Sequence, residues 1–302
     1  MKKFLFKTLL FFIIIVLIDV AFGFACKYLN DHSKGGGTKS RYYVCKESND
    51  DILIFGSSRA KHHYVPDVIE DSLKVTCYNT GEDGNGIILS YGLLKMISHR
   101  YSPKLIIYDV SMFDMYEDDN MKYLDLLKPY YSEPGIDSIF WAVSPKTRIM
   151  MYSNLYRYNT TCLSLLGNYI HPMNNYPKGY CALTKTMSYE PEIIELEPTK
   201  VDKLKIHYFE QFVKTAKNYN IALICCVSPS YKAPIDDSYY NPIKELCSQY
   251  QVPFLYYNAE PQISNKKDYF QDRGHLNDKG ARFYTNIICR WIDNNIKQSW
   301  DN

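Results

Sequence analysis

Apolar positions along this chain fall into short blocks separated by amphipathic stretches. Five short apolar runs recur, ILIF from Ile52, VTCYN from Val75, KLIIYDV from Lys104, IALICCV from Ile221 and VPFLYYN from Val252. Each is too short for a buried helix and rich in β-branched or aromatic residues, which predicts strands. Helical spacing occupies the intervals Ile87 to His99, Val201 to Tyr219 and Tyr240 to Tyr250, and a longer stretch from Asp278 to Ile296 closes the chain. Strands alternating with helices predict an α/β domain with a parallel sheet covered on both faces. In such sheets the chemistry collects at the carboxyl ends of the strands.

The N-terminus follows another pattern. Lys2, Lys3 and Lys7 precede an unbroken apolar run from Leu9 to Ile18, and after Asp19 the apolar character resumes to Ala25. From Phe4 to Ala25 the segment can cross a hydrocarbon layer of about 30 Å at about 1.5 Å per residue, with the lysines on the cytoplasmic side. Residues 1–29 are therefore read as a membrane anchor, with two rivals. One is a cleaved signal peptide ending near Ala21 and Gly23, and the other a lipoprotein modified at Cys26. All three export the rest of the chain. Residues 30–41 contain three consecutive glycines and no apolar period, which predicts a flexible tether. The folded domain is then 42–302.

One segment interrupts the alternation. Residues 115–199 separate the third and fourth runs and carry eleven tyrosines among irregular polar stretches, too long for an ordinary connection. They are read as a lid or inserted subdomain, whose tyrosines either stack on sugar rings or pack the insertion against the core.

Composition narrows the partners. The chain has 302 residues, a net charge of +2 and no basic stripe, so nothing marks a nucleic-acid surface. Its nine cysteines include no Cys-x-x-Cys or Cys/His spacing suited to zinc, so no metal is expected. Cys77, Cys225 and Cys226 fall in strand runs and are expected in the core. Cys162 and Cys181 are candidates for pairing in an oxidising compartment.

The strand ends hold the chemistry. The first run ends in Gly56-Ser57-Ser58, the second leads into NTGEDGNG (Asn79 to Gly86), and the third into DVSMFD (Asp109 to Asp114). Just before the last helix, DRGHLN places Asp272 and His275 three residues apart. A serine hydroxyl is a weak nucleophile until an imidazole takes its proton, and the imidazole needs an acceptor on its other nitrogen. Ser58, His275 and Asp272 supply these parts, and the backbone N–H groups of Ser58 and Gly84 are candidate oxyanion donors. Each part has a plainer reading. A serine after a strand also serves as a helix N-cap, and glycines such as Gly81, Gly84 and Gly86 also serve simple turns. The conjunction of all of them at strand ends favours chemistry. Asn79, Ser111 and Arg59 are auxiliary candidates, whereas His62 and His63 are expected on the helix after Ser58.

These blocks resemble the SGNH/GDSL hydrolase family. FGSSRA resembles the family's Gly-Asp-Ser block, with Ser57 in the Asp position and Ser58 as nucleophile. NTGEDG resembles its second block, with Asn79 and the oxyanion residue Gly84, and Asp272-x-x-His275 its last. The resemblance implies a three-layer, flavodoxin-like α/β sandwich with a five-stranded parallel sheet, no cofactor, and a triad of Ser58, Asp272 and His275. The Gly-Ser-Ser variant, the anchor and the insertion look most like exported members that handle acyl groups on envelope polymers, such as the D-alanyl transfer protein of teichoic acid systems and alginate acetylation proteins. One block departs. The family's third block is Gly-x-Asn-Asp, and here Phe113 stands where an Asn would donate to the oxyanion; Ser111 or a donor from the insertion is the candidate substitute.

Two functions are thus expected. One is a membrane-tethered extracytoplasmic serine esterase or O-acyltransferase, acting on acylated glycans through an acyl-serine and working beside other polysaccharide-modifying proteins of the envelope. The other is a protein of the same fold that binds or assembles polysaccharide with little catalysis. A nucleotide site finds no support, because GEDGNG does not match the dinucleotide-binding glycine pattern.

Overall fold

The computed structural model describes residues 1–172, 176–191, 200–297 and 300. In chain order the elements are α1 (Lys2–Asp31), α2 (Gly36–Lys46), β1 (Ile52–Gly56), α3 (Ser58–His63), α4 (Pro66–Leu73), β2 (Cys77–Asn79), α5 (Ile87–Ser98) and β3 (Leu105–Asp109). There follow α6 (Ile136–Val143), α7 (Thr147–Met150), α8 (Asn154–Tyr158), α9 (Cys162–Ile170), α10 (Lys203–Asn218), β4 (Ala222–Val227), α11 (Asn241–Gln249), β5 (Phe254–Tyr256), α12 (Pro261–Ser264) and α13 (Asp278–Asn295). They divide into two compact units, one formed by Met1–Tyr43 with Met121–Asn175 and the other by Val44–Asn120 with Tyr176–Asn302.

The second unit holds a five-stranded sheet in the order β2-β1-β3-β4-β5, every pair parallel. All five expected strands are present. Residues of β1, β3 and β4 alternate between two apolar surroundings, as a period of two requires. Ile52, Ile54, Leu105, Ile107, Ile224 and Cys226 share one core with residues of α4 and α13. On the other side Phe55 and Tyr108 stand edge-on to Phe212 of α10, with ring centroids 5.3 and 5.1 Å apart. Residues 52 to 55 and 105 to 108 are wholly buried, which accounts for runs that read as continuously apolar.

The first unit gathers α1 with α6 to α9. Residues 121–175 of the expected insertion thus belong with the N-terminal helix, 176–191 belong to the sheet unit, and 192–199 lie outside the described residues. Tyr123, Tyr130 and Tyr158 are buried, so these tyrosines pack rather than present a sugar platform. Cys26 is also buried, in a cluster with Tyr158 and Leu165.

Residues 30–41, read from the glycines as a flexible tether, hold the end of α1 and the first half of α2. The glycines sit at the start of α2, where the cost of helical glycine is least, and the rest of the helix carries side chains able to pack. At its other end Arg100 donates to the carbonyls of Val44 (3.0 Å) and Cys45 (2.9 Å), groups that a helix terminus leaves unpaired. All nine cysteines are free thiols, including Cys162 and Cys181, and Cys77, Cys225 and Cys226 lie in the core.

Candidate active site

The carboxyl end of β1 turns sharply into α3. Gly56 makes this turn possible: its φ is +135°, and a Cβ there would stand 2.5 Å from the Asp109 carbonyl oxygen on β3. Ser57 is the N-cap of α3 and Ser58 its first residue, yet no side chain caps the helix. The Ser58 hydroxyl is committed elsewhere. Its Oγ lies 2.9 Å from His275 Nε2.

His275 arrives from the loop before α13, a helix whose N-cap Asn277 accepts from the Gly280 N–H at 3.1 Å. The same loop carries Asp272, whose Oδ1 accepts from the backbone N–H groups of Gly274 (2.9 Å) and His275 (3.0 Å). That turn brings His275 Nδ1 to 2.9 and 3.0 Å from the two carboxylate oxygens. A carboxylate only accepts, so Nδ1 carries the proton and Nε2 faces Ser58 with a lone pair. Partial burial opposes ionisation of Asp272, but the His275 hydrogen bond and the backbone donors outweigh it and hold its pKa below the ordinary carboxylate value. Ser58, His275 and Asp272 are therefore joined hydroxyl to imidazole to carboxylate, an arrangement able to draw a proton from Ser58 Oγ.

Two further histidines on α3 lie beside this loop, and their chemistry was not legible in the chain. His63 is wholly buried and accepts the Leu276 N–H at Nε2 (2.9 Å), so its Nδ1 carries the proton and donates to Ser228 Oγ (2.8 Å). Burial, together with the charge of Arg59, lowers its pKa well below the ordinary value and keeps it neutral. His62 has the opposite character. Its Nδ1 reaches the Cys181 carbonyl (2.7 Å), its Nε2 reaches Asp83 Oδ1 (3.1 Å), and its ring stands edge-on to His275 at 5.7 Å. Burial disfavours its charge, but Asp83 and the carbonyl reverse this and raise its pKa to about 9. His62 and Ser58 are four residues apart, one helical turn on the same face, which was the available signal.

The auxiliary candidates are placed as follows. Asn79 is buried and uses its side chain internally, donating to the carbonyls of Ala60 (2.7 Å) and Tyr64 (3.0 Å) and accepting from Gly81 N–H (3.0 Å). It fastens the end of β2 to α3. Ser111 donates its hydroxyl to Asp114 Oδ2 (3.0 Å) in a capping box, a bond that occupies the proton it would offer an oxyanion. Burial pushes Asp114 itself up to about 6 despite hydrogen bonds from Tyr108 and Ser111. Arg59 turns into the protein, with Nε 3.1 Å from Ser228 Oγ and 3.9 Å from Asp109 Oδ1, where it balances a fully buried carboxylate. Gly84 adopts φ +66° in the loop after β2, next to Asp83, with open space around it.

Among the described residues no group of three or more His, Cys, Asp or Glu is arranged to hold a metal ion. A cavity of about 330 Å³ lined by Val213, Ala222, Val252 and Pro253 lies at the amino ends of β4 and β5, the opposite end from Ser58. Neither a protein-family model nor a curated protein matches the chain. Among solved structures it is similar to a candidate platelet activating factor from Streptococcus pneumonia, with 14% identity over 85% of this chain and 90% of that one and a TM-score of 0.45. It is also similar to an acetyl xylan esterase, with 14% identity over 80% of this chain and 98% of that one and a TM-score of 0.39. Likeness of this degree extends to neither activity nor substrate.

Proposed function

We propose that the chain is an SGNH-type serine esterase or O-acyltransferase, a three-layer α/β sandwich that acts on acylated glycans of the cell envelope. The observation that carries this reading is the contact of Ser58 Oγ with His275 Nε2, backed by Asp272. Ser58 Oγ attacks the ester carbonyl carbon while its proton passes to His275 Nε2, and Asp272 stabilises the imidazolium that forms. The tetrahedral oxyanion is held by the N–H groups of Ser58 and Gly84. As the intermediate collapses, His275 returns the proton to the departing alkoxide, leaving an acyl group on Ser58. Water or a sugar hydroxyl then attacks that acyl carbon with His275 again as base, and regenerates Ser58. No cofactor is needed for these steps.

Phe113 removes one oxyanion donor, a loss of roughly 10²–10³ in rate for comparable sites, which favours a slow enzyme and leaves polysaccharide binding or assembly as the second reading. In this reading α1, 30 residues long, anchors the protein with Lys2, Lys3 and Lys7 in the cytoplasm and the sheet unit outside, beside other envelope polysaccharide-modifying proteins. The test is labelling with a fluorophosphonate probe. Labelling that disappears in Ser58→Ala and His275→Ala but persists in Ser57→Ala is expected; folded wild-type protein that takes no label refutes the enzyme and turns attention to glycan binding.

A further inference from the structure

Asp19 interrupts the apolar face of α1. At about 1.5 Å per residue it stands about 24 Å along the helix from Lys3, short of the roughly 30 Å of a hydrocarbon core. With the lysines at one headgroup layer, as the proposed anchor requires, Asp19 is still inside the apolar layer. A carboxylate there is costly unless other groups satisfy it.

It is satisfied, and by α8. Asp19 Oδ1 accepts from Ser153 Oγ (2.7 Å) and the Leu155 N–H (2.8 Å), and Oδ2 accepts from the Asn154 N–H (2.9 Å) and Asn154 Nδ2 (3.0 Å). One turn further along α1, Gly23 lies so close to Asn154 that a Cβ would stand 2.3 Å from its side chain. Small residues at such a crossing are how helices approach within membranes. Residues 153–155 are therefore fixed at the depth of Asp19, and their neighbours share it. Among those neighbours Ile149 is 78% exposed and Tyr152 80%, with the exposed Lys146 and Arg148 next to them in the chain. On α1, Ile18 and Val20 are exposed at the same level. Arg148 stacks on Trp141 at 4.9 Å, and a stem of that length lets its charge reach toward the headgroups.

We infer that α7 and α8 are seated in the lipid bilayer beside α1, with Ile149, Tyr152 and Leu155 among the acyl chains and Asp19 as the buried tie that holds them there. The inference rests on the reading of α1 as a membrane span. The depth of Asp19 selects lipid as the occupant, because the tie reaches that depth without any other chain.

The full-length protein, reconstituted in nanodiscs of phosphatidylcholine and phosphatidylglycerol with some acyl chains carrying a diazirine, would be irradiated and its labelled peptides mapped. Label is expected on α1 and on residues 147–158. In the variant Ile149→Ser, Tyr152→Ser, Leu155→Ser, label on 147–158 should fall to the background set by α10, while α1 stays labelled. Label on α1 alone in the wild type overturns the inference and leaves the anchor standing. Label on neither overturns both, and label on 147–158 that survives the three substitutions overturns the contact proposed.

Discussion

The imidazole of His63 accepts the Leu276 N–H at 2.9 Å, and so holds the backbone directly after His275. Its other nitrogen donates to Ser228, which also receives Arg59, so the loop bearing the proposed base is tied through α3 to the carboxyl ends of β3 and β4. Replacing His63 with Ala leaves a buried N–H unpaired at a cost of about 1–3 kcal/mol and frees His275 to drift. The expectation is a lower Tm and a lower kcat on a chromogenic ester with KM little changed. His63→Gln, whose Oε1 can accept the same N–H, should recover most of both. Equal kcat in wild type and His63→Ala would remove the positioning role.

Asp272 makes two separable contributions, accepting backbone N–H groups through Oδ1 and fixing the imidazole tautomer. Asp272→Asn can keep the turn, because its amide oxygen still accepts, but it no longer holds a proton on Nδ1. Tm should stay close to wild type while kcat falls by about 10²–10⁴. An activity loss matched by unfolding would instead mark Asp272 as a turn residue.

Gly84 and Ser111 should part in opposite ways. A methyl group at Gly84 meets nothing within 4 Å, but φ +66° disfavours it, by about 1–2 kcal/mol, and the loop relieves that strain by turning its N–H away. Gly84→Ala should then lose about tenfold or more in kcat with a small change in Tm. Ser111→Ala removes the hydroxyl of the capping box, costing about 1 kcal/mol of stability, and should leave kcat within a factor of about two. Paired thermal melts and steady-state rates decide between them, and a large rate loss in Ser111→Ala would return it to the site.

What could be read from the chain is what local pattern encodes. Ile52 to Gly56 and Leu105 to Asp109 are apolar runs of strand length, and the last helix begins at Asp278 as its spacing implied. The approach of Ser58 to Asp272-x-x-His275 was readable because parallel strands deliver their carboxyl ends to one edge. Contacts made by loops folding back were not readable. Asp83 meets His62 only because the loop after β2 returns over α3, and Asp19 meets Ser153 across 134 residues of chain. Asn79 matched a family position, yet nothing in the sequence revealed that its amide fastens α3. The three glycines before Thr38 read as loose chain because a contact that holds the start of their helix, Asn168 Nδ2 to Thr38 Oγ1 at 2.9 Å, comes from 130 residues away.

The His62–Asp83 pair predicts how stability depends on pH. The folded pKa of His62 is raised from an ordinary 6.5 to about 9, so its contribution is complete below 6.5 and is lost as pH rises through 9. Asp83 is depressed below its ordinary 3.8, first against burial and then by His62 and Lys61, so its contribution is present above 3.8 and lost in stronger acid. The charged pair is therefore complete between these limits. Lys61, 2.8 Å from Asp83, keeps its charge beyond pH 9 and preserves the carboxylate's part. His62→Gln should consequently melt below the wild type at pH 6, by on the order of 5 °C, and the gap should close as pH rises to 9.5. Thermal melts of both proteins across that range test it. A gap that is constant with pH would mean that His62 packs as a neutral ring and that its bond to Asp83 carries no charge.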